Sequence, residues 1–112
     1  MDIRGEQVIL DIKFKSFPDD LKKTIENSLL KNDINVVNYV EHLFTPQGVT
    51  ACWILSASSF TIHTYPEENF IAIDCYTCSR EGSAVKVINY IILFYNDNID
   101  KIFYKKINRG EI

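Results

Sequence analysis

Apolar and polar side chains alternate over Val8–Phe14, which is the period of a strand that buries one face. After Pro18 the period lengthens, and every fourth residue is apolar: Leu21, Ile25 and Leu29. This spacing predicts an amphipathic helix that runs to about Asn32. Either Asp19 or Asp20 is placed to cap its first turn.

Four β-rich segments follow the predicted helix, and turn residues separate them. The segments are Ile34–Phe44, Val49–Ser56, Ser58–Tyr65 and Phe70–Cys78, with turns at Thr45–Gly48 and Pro66–Asn69. Val, Ile, Tyr and Trp favour strands, whereas Pro, Gly and Asn favour turns. The last three segments follow one another so closely that they predict an antiparallel meander.

A second helix and a final strand complete the pattern. Ser83 is placed to cap a helix whose apolar face holds Val85, Ile88 and Ile92. A last, basic strand is predicted over Lys101–Ile107. The residues from Asn108 onward are expected to form a frayed tail. Runs of strands interrupted by two helices favour an α+β two-layer sandwich, with both helices on one face of an antiparallel sheet.

Length and charge narrow the class of protein. The 112 residues, of which 46% are hydrophobic and 24% charged, suit a single domain over residues 1–112. Twelve basic residues against 15 acidic ones give a net charge of −3, which argues against nucleic acid as a partner. The chain lacks the ~20-residue apolar run of a membrane span, and its odd number of cysteines suits a reducing compartment. We therefore expect a cytoplasmic protein with no membrane partner.

Few residues stand out for their chemistry from spacing alone. His63 shares a strand face with hydroxyl side chains, which predicts a polar pocket or a solvent-exposed face. Cys75 and Cys78 lie three residues apart in a strand pattern, so they point to opposite faces, and we expect neither a redox pair nor a metal site. Phe44 begins a loop that contains Pro and Gly, where its ring either stacks on a planar ligand or closes the strand end.

The middle of the chain resembles a known family. The stretch runs from His42 to Thr50 (HLFTPQGVT), from Leu55 to Glu67 (LSASSFTIHTYPE) and from Phe70 to Cys78 (FIAIDCYTC). It resembles the signature of the small prokaryotic S-adenosylmethionine decarboxylases. The resemblance implies an S-adenosylmethionine decarboxylase-like two-layer sandwich.

The resemblance also implies catalytic roles. In this family a serine attacks the carbonyl group before it, the resulting ester eliminates, and the new chain begins with a pyruvoyl group that acts as an electron sink. Ser58 matches that serine, and His63 matches the histidine that assists elimination. Cys78 matches the proton donor of decarboxylation, and Thr50 replaces a serine that helps processing.

Binding roles follow for a small adenosyl-sulfonium substrate. Phe44 matches the ring that stacks on adenine, and Glu67 matches the carboxylate that holds the ribose hydroxyls. Tyr65 or Trp53 is expected to face the sulfonium through a cation–π contact of about 0.5–2 kcal/mol. Small members of the family associate, and a neighbouring chain often completes the sites in such assemblies, so we expect a homo-oligomer.

Two residues depart from the family pattern, because Ala57 stands in place of Glu and Ser59 in place of His. The departures favour an unprocessed, cofactor-free lyase. The positive sulfur is a good leaving group, so the carboxylate of the folded substrate attacks its own γ-carbon and releases methylthioadenosine and homoserine lactone. The substrate is then S-adenosylmethionine or its AMP conjugate, which lyases cleave in some antiviral CRISPR systems.

Two alternatives stay open. One is a pyruvoyl-dependent decarboxylase of polyamine synthesis, cleaved between Ala57 and Ser58, that acts on S-adenosylmethionine or on a basic amino acid. The other is a non-catalytic ligand-binding or regulatory subunit. The basic last strand either binds a phosphate or protects a sheet edge from aggregation through its cationic side chains, which are Lys101, Lys105, Lys106 and Arg109.

Overall fold

Six antiparallel strands form one sheet in the computed structural model, which describes residues 2–78 and 83–112. The strands are β1 (Gly5–Phe14), β2 (Asn38–Leu43), β3 (Val49–Leu55), β4 (Ser58–Tyr65), β5 (Phe70–Cys78) and β6 (Ile99–Arg109). The helices are α1 (Leu21–Lys31) and α2 (Ala84–Phe94), with short 3₁₀ turns at Pro66–Glu68 and Asn96–Asn98. The strand order is β2-β3-β4-β5-β1-β6, and it includes the predicted meander of β3, β4 and β5. The predicted α+β sandwich is therefore confirmed.

The core lies between one face of the sheet and the two helices. Alternate side chains of β1 are buried there, as the period of two predicts, namely Val8, Leu10, Ile12 and Phe14. The apolar stripe of α1 packs against them as predicted, and Leu21, Ile25 and Leu29 are all buried. The opposite face of the sheet, called the open face below, carries no helix in the described part of the chain. None of the helices described is long and apolar enough to cross a bilayer.

The apolar face predicted for α2 is partly wrong. The helix buries Ala84, Val87, Ile88 and Ile91, whereas Val85 and Ile92 are only partly buried. Nearly every position of this helix is apolar, so more than one stripe satisfies the helical period. Ser83 does cap the helix, because its Oγ accepts a hydrogen bond from the Lys86 amide at 3.4 Å.

Strand boundaries also differ from those predicted. β2 begins at Asn38 rather than at Ile34, whose side chain packs into the core before the strand starts. The frayed tail is wrong for Asn108 and Arg109, because both residues pair with β1 in register. Backbone hydrogen bonds to a neighbouring strand hold this end of the chain.

Tyr95 joins the end of α2 to the start of α1. Its hydroxyl donates to Asp20 Oδ1 at 2.6 Å and lies 2.9 Å from Thr24 Oγ1. Asp20 directly precedes α1 and is one of the two capping residues that the sequence offers, but its carboxylate accepts from Tyr95 and does not cap the helix. Burial and the hydrogen bond to Asp20 raise the pKa of Tyr95 above its ordinary value.

We expect Tyr95→Phe to lower the free energy of unfolding by about 1–2 kcal/mol, because it removes the hydroxyl that bonds to the Asp20 carboxylate and to Thr24 Oγ1. Urea unfolding followed by circular dichroism measures the change. The matched control is Tyr90→Phe on the same helix, whose ring stacks on Phe94. Equal losses for the two variants would show that the Tyr95 network does not contribute.

Candidate functional site

A cleft lies at one end of the sheet, where β4 ends and the β2–β3 loop turns back. It encloses about 460 Å³, and we call it the Phe44 cleft. Its walls include Phe44, Gln47, Thr50, His63, Tyr65 and Glu67. Five of these six residues were selected from the sequence as substrate-binding or catalytic, and the fold brings them together.

Thr50 and His63 form the centre of the Phe44 cleft. They are directly opposite each other in the β3–β4 pair, so both side chains point to the open face. Thr50 Oγ1 and His63 Nδ1 are 3.1 Å apart and share a hydrogen bond. This contact orients the imidazole ring and leaves its other nitrogen directed away from Thr50.

The β2–β3 loop presents an aromatic ring at the mouth of the cleft. Phe44 is 51% exposed, and its ring meets His42 edge-on with the centroids 4.6 Å apart. The Phe44 amide donates to the Gly48 carbonyl at 2.9 Å, which closes the loop. Gly48 has φ +108°, and a Cβ there would lie 3.3 Å from the Thr64 carbonyl, so this turn favours glycine. The loop backbone is therefore closed, and about half of the Phe44 side chain is exposed at the mouth of the cleft, where it is accessible for stacking.

Glu67 lines the same cleft and lies in the 3₁₀ turn that follows β4. Gln47 donates a hydrogen bond from Nε2 to Glu67 Oε2 at 3.3 Å, which links the two loops that frame the cleft. Tyr65, at the end of β4, is 45% exposed and packs on Phe70. An aromatic ring, a carboxylate and a phenol thus surround one opening, which suits a planar, cationic ligand with hydroxyl groups.

Ser58 and Cys78 lie together at the other end of the sheet. Ser58 begins β4 directly after the turn at Ser56 and Ala57, and Ser56 has a positive φ of 64°. The Ser58 side chain is buried on the helix side, and its Oγ accepts a hydrogen bond from the Cys78 amide at 3.1 Å. The Cys78 side chain points to the open face, as the alternation of β5 predicts.

A second cleft of about 530 Å³ adjoins Cys78. Among the residues that the structure describes, its charged walls are Arg4, Glu6 and Lys86. The Glu6 carboxylate accepts hydrogen bonds from the Ser83 hydroxyl and the Val85 amide. This carboxylate of β1 therefore lies against the N-terminus of α2. Burial raises the pKa of Glu6, but these hydrogen bonds and Lys106 outweigh it and hold that pKa below its ordinary value.

The structure does not bring every predicted residue into one site. Ser58 and His63 are five residues apart in β4, which separates them by about 16 Å and places them on opposite faces. Trp53 is only 1% exposed, lies under α1 and donates from its indole N–H to Glu26 at 3.0 Å. The indole is therefore part of the core and does not line the Phe44 cleft.

Two contributors to these clefts were missed from the sequence. Gln47 lies within the stretch that resembles the family, but nothing in its spacing shows that it bonds to Glu67. Glu6 lies in a region where the resemblance is loose, and its role depends on a contact with residues 77 to 79 positions further along the chain. Sequence periodicity carries no signal for either contact.

The three cysteines differ in accessibility. Cys75 is fully buried, whereas Cys52 and Cys78 are partly exposed, and all three are free thiols. Burial raises the pKa of the Cys75 thiol to about 12. No group of three or more His, Cys, Asp or Glu side chains within residues 2–78 and 83–112 is arranged to hold a metal ion.

We expect iodoacetamide at pH 8 to alkylate Cys78 at least 100-fold faster than Cys75 in the folded protein, because only a thiolate in contact with solvent reacts. Peptide mapping by mass spectrometry measures both rates. In urea the two rates should converge. Equal rates in the folded protein would contradict the burial of Cys75.

Known proteins are similar to this chain in both sequence and fold. A family model described as S-adenosylmethionine decarboxylase matches residues 13–110. An S-adenosylmethionine decarboxylase proenzyme 2 of Bacillus cereus is 36% identical over 111 residues, covering 95% of this chain and 89% of that protein. The S-adenosylmethionine decarboxylase proenzyme of Symbiobacterium thermophilum is 33% identical over 111 residues, covering 95% and 83%.

The crystal structure of the adenosylmethionine decarboxylase from Aquifex aeolicus has the same architecture. It superposes with a TM-score of 0.83 at 22% identity, covering all of this chain and 95% of that one. The fold is therefore that of the adenosylmethionine decarboxylases. With the match over residues 13–110 and relatives above 30% identity, the chain belongs to the S-adenosylmethionine decarboxylase family. The family predicted from the sequence is confirmed.

Proposed function

We propose that this protein is a self-processing, pyruvoyl-dependent S-adenosylmethionine decarboxylase whose active sites form between two copies of the chain. The hydrogen bond from the Cys78 amide to Ser58 Oγ supports the proposal, because it brings together the two chain positions to which we assign the processed serine and the proton donor. The relatives above are named as proenzymes of this decarboxylase, which favours this function over the cofactor-free lyase that Ala57 and Ser59 suggest. Their names give no support to an antiviral role.

Ser58 fits the source of the pyruvoyl group. It directly follows a tight turn, and the bond to be cleaved joins it to Ala57 at the end of the β3–β4 hairpin. Attack of the Ser58 hydroxyl on the Ala57 carbonyl converts the peptide bond into an ester and frees the Ser58 amino group. Elimination then breaks the Cβ–O bond, releases Ala57 as a carboxylate and leaves dehydroalanine at position 58. Water hydrolyses the dehydroalanine to the pyruvoyl group, and its nitrogen leaves as ammonia. Once formed, the pyruvoyl group supplies an electron sink for loss of carbon dioxide.

His63 of the same chain does not fit the assisting role, because about 16 Å of strand separates it from Ser58. A second copy solves this problem. If two open faces stack with their strands reversed, the Phe44 cleft of one copy lies over Ser58 and Cys78 of the other. Stacked sheets are about 10 Å apart, which leaves room for a ligand between the two ends. A two-fold dimer then has two equivalent sites.

The substrate is held mainly by the Phe44 cleft. We infer that Phe44 stacks on the adenine, that Glu67 accepts hydrogen bonds from the ribose hydroxyls, and that Tyr65 faces the sulfonium. The amino-acid end then extends toward Cys78 of the other copy, which donates a proton to the α-carbon after decarboxylation. The three free thiols suit the cytoplasm, where we expect the protein to act.

A second candidate function is the cofactor-free lyase. Ala57 and Ser59 favour it, since they replace the Glu and His that flank the processed serine in the family. In this case the Phe44 cleft folds S-adenosylmethionine or its AMP conjugate so that its carboxylate reaches the γ-carbon, and Ser58 stays an ordinary serine.

Product analysis separates these functions. With S-adenosylmethionine labelled at the carboxyl carbon, we expect labelled carbon dioxide and decarboxylated S-adenosylmethionine. Methylthioadenosine with labelled homoserine lactone would instead identify the lyase, and the AMP conjugate should be assayed in parallel. Binding without any product would identify a ligand-binding or regulatory subunit.

A further inference from the structure

A row of three residues crosses the open face beside the proposed proton donor. Gly5 of β1 is directly opposite Cys78 of β5 on one side and Arg109 of β6 on the other. Residues that are directly opposite in antiparallel strands point to the same face. Arg109 therefore lies on the same face as Cys78, two strand spacings or about 10 Å away.

Gly5 has no side chain, and neighbouring atoms of β5 occupy the space that a side chain would take. A Cβ at this position would lie 2.7 Å from the Thr77 carbonyl and 2.9 Å from the Tyr76 hydroxyl. The phenol of Tyr76 therefore lies across Gly5, between Cys78 and Arg109. Any larger residue at position 5 would displace this ring.

Two contacts fix the guanidinium of Arg109. It lies over the Tyr76 ring, 5.5 Å from the centroid, and its Nη1 donates to Gln7 Oε1 at 2.6 Å. The Gln7 amide nitrogen in turn donates to both carboxylate oxygens of Asp74, at 2.9 and 3.0 Å. Because these contacts use one guanidinium edge and one face, the arginine is held in a defined position on the surface.

Arg109 differs from the other cations near Cys78 that the structure describes. Arg4 pairs with Asp2, and Lys106 pairs with Glu6. In the described part of the chain, by contrast, Arg109 has no carboxylate within ion-pair distance. Lys86 lines the cleft beside Cys78, but it belongs to α2 and so lies on the helix side of the sheet. A ligand that approaches across the open face meets Arg109.

We propose that Arg109 binds the carboxylate of the substrate's amino-acid end and so selects S-adenosylmethionine over its decarboxylated product. This inference rests on the proposed function, in which the adenosyl group lies in the Phe44 cleft of the other copy. Guanidinium groups recognise carboxylates through two parallel N–H···O bonds. Once carbon dioxide leaves, this contact is lost and only the cationic tail remains near Arg109, which favours release of the product.

The test compares the substrate with a ligand that lacks the carboxylate. We expect Arg109→Ala to raise the KM for S-adenosylmethionine on the order of 10- to 100-fold. The inhibition constant of decarboxylated S-adenosylmethionine should change by less than about 2-fold or fall, because removal of Arg109 removes a like charge. Arg109→Lys keeps the charge without the paired donors and should lie between these limits. The matched control is Lys31→Ala, which removes a cation from the last turn of α1, lines neither cleft and should change neither constant.

Loss of both affinities by the same factor in Arg109→Ala, or of neither, would overturn the inference. Circular dichroism and a native mass measurement confirm that each variant folds and associates. Release of carbon dioxide by the unmodified protein tests the proposed function separately. If none is released, dissociation constants of the same two ligands from equilibrium dialysis give the same ratio, so the role of Arg109 is decided in either case.

Discussion

Replacement of Ser58 with Ala should abolish self-cleavage and reduce carbon dioxide release from S-adenosylmethionine by at least about 1000-fold, since a group that forms the covalent electron sink contributes on this scale. The variant should remain one chain of 13.0 kDa. The fold should persist, because within residues 2–78 and 83–112 the Ser58 side chain makes one hydrogen bond, to the Cys78 amide. Denaturing electrophoresis and trapping of labelled carbon dioxide measure the two effects.

The matched control is Ser59→Ala, the adjacent hydroxyl in the same strand. Ser59 points to the open face and is not beside the Cys78 amide, so its removal should leave cleavage intact. Carbon dioxide release that survives Ser58→Ala would contradict the pyruvoyl mechanism. Loss of methylthioadenosine formation in place of carbon dioxide release would assign Ser58 to lyase chemistry.

Two inactive variants should restore activity when they are mixed. Cys78→Ala disables the end of the sheet that holds the proposed proton donor, and a double variant of Phe44→Ala and Glu67→Ala disables the Phe44 cleft. In a two-fold dimer with shared sites, a mixed pair has one site with both defects and one with none. Random association makes half of the dimers mixed, so we expect about a quarter of the activity of the unmodified protein.

The measurement is carbon dioxide release after the two variants are unfolded together in urea and refolded. Each variant refolded alone is the control and should stay below about 1% of the unmodified activity. Activity that never exceeds the sum of the two separate controls would show that each site lies within a single chain. That result would show that a second copy is not required to complete each site. It would not test the decarboxylase function, which the product analysis decides.

Most of the fold follows from local patterns in the chain. The alternation in β1 and the four-residue spacing in α1 each match one buried face, and the structure confirms both. The pattern does not predict the buried face of α2, because this helix is apolar almost all round. Packing against the sheet and α1 decides which face is buried. The pattern also fails at Ile34 and at Arg109, where burial and strand pairing depend on residues far away in the sequence.

The candidate site was predictable only in part. The family resemblance selects Phe44, Thr50, His63 and Glu67, and the β3–β4 hairpin with its two loops collects them in one cleft. It does not reveal that Ser58 and Cys78 lie at the other end of the sheet, because sequence similarity gives residue types without distances. Trp53 was selected for its ring alone, and its alternation with Ala51 and Leu55 on the buried face of β3 explains why it lies in the core.

The intact mass of the denatured protein tests the central claim most directly. Self-processing predicts two fragments separated between Ala57 and Ser58, with the second beginning in a pyruvoyl group. A single species at the full 13.0 kDa would contradict it and leave Ser58 as an ordinary serine.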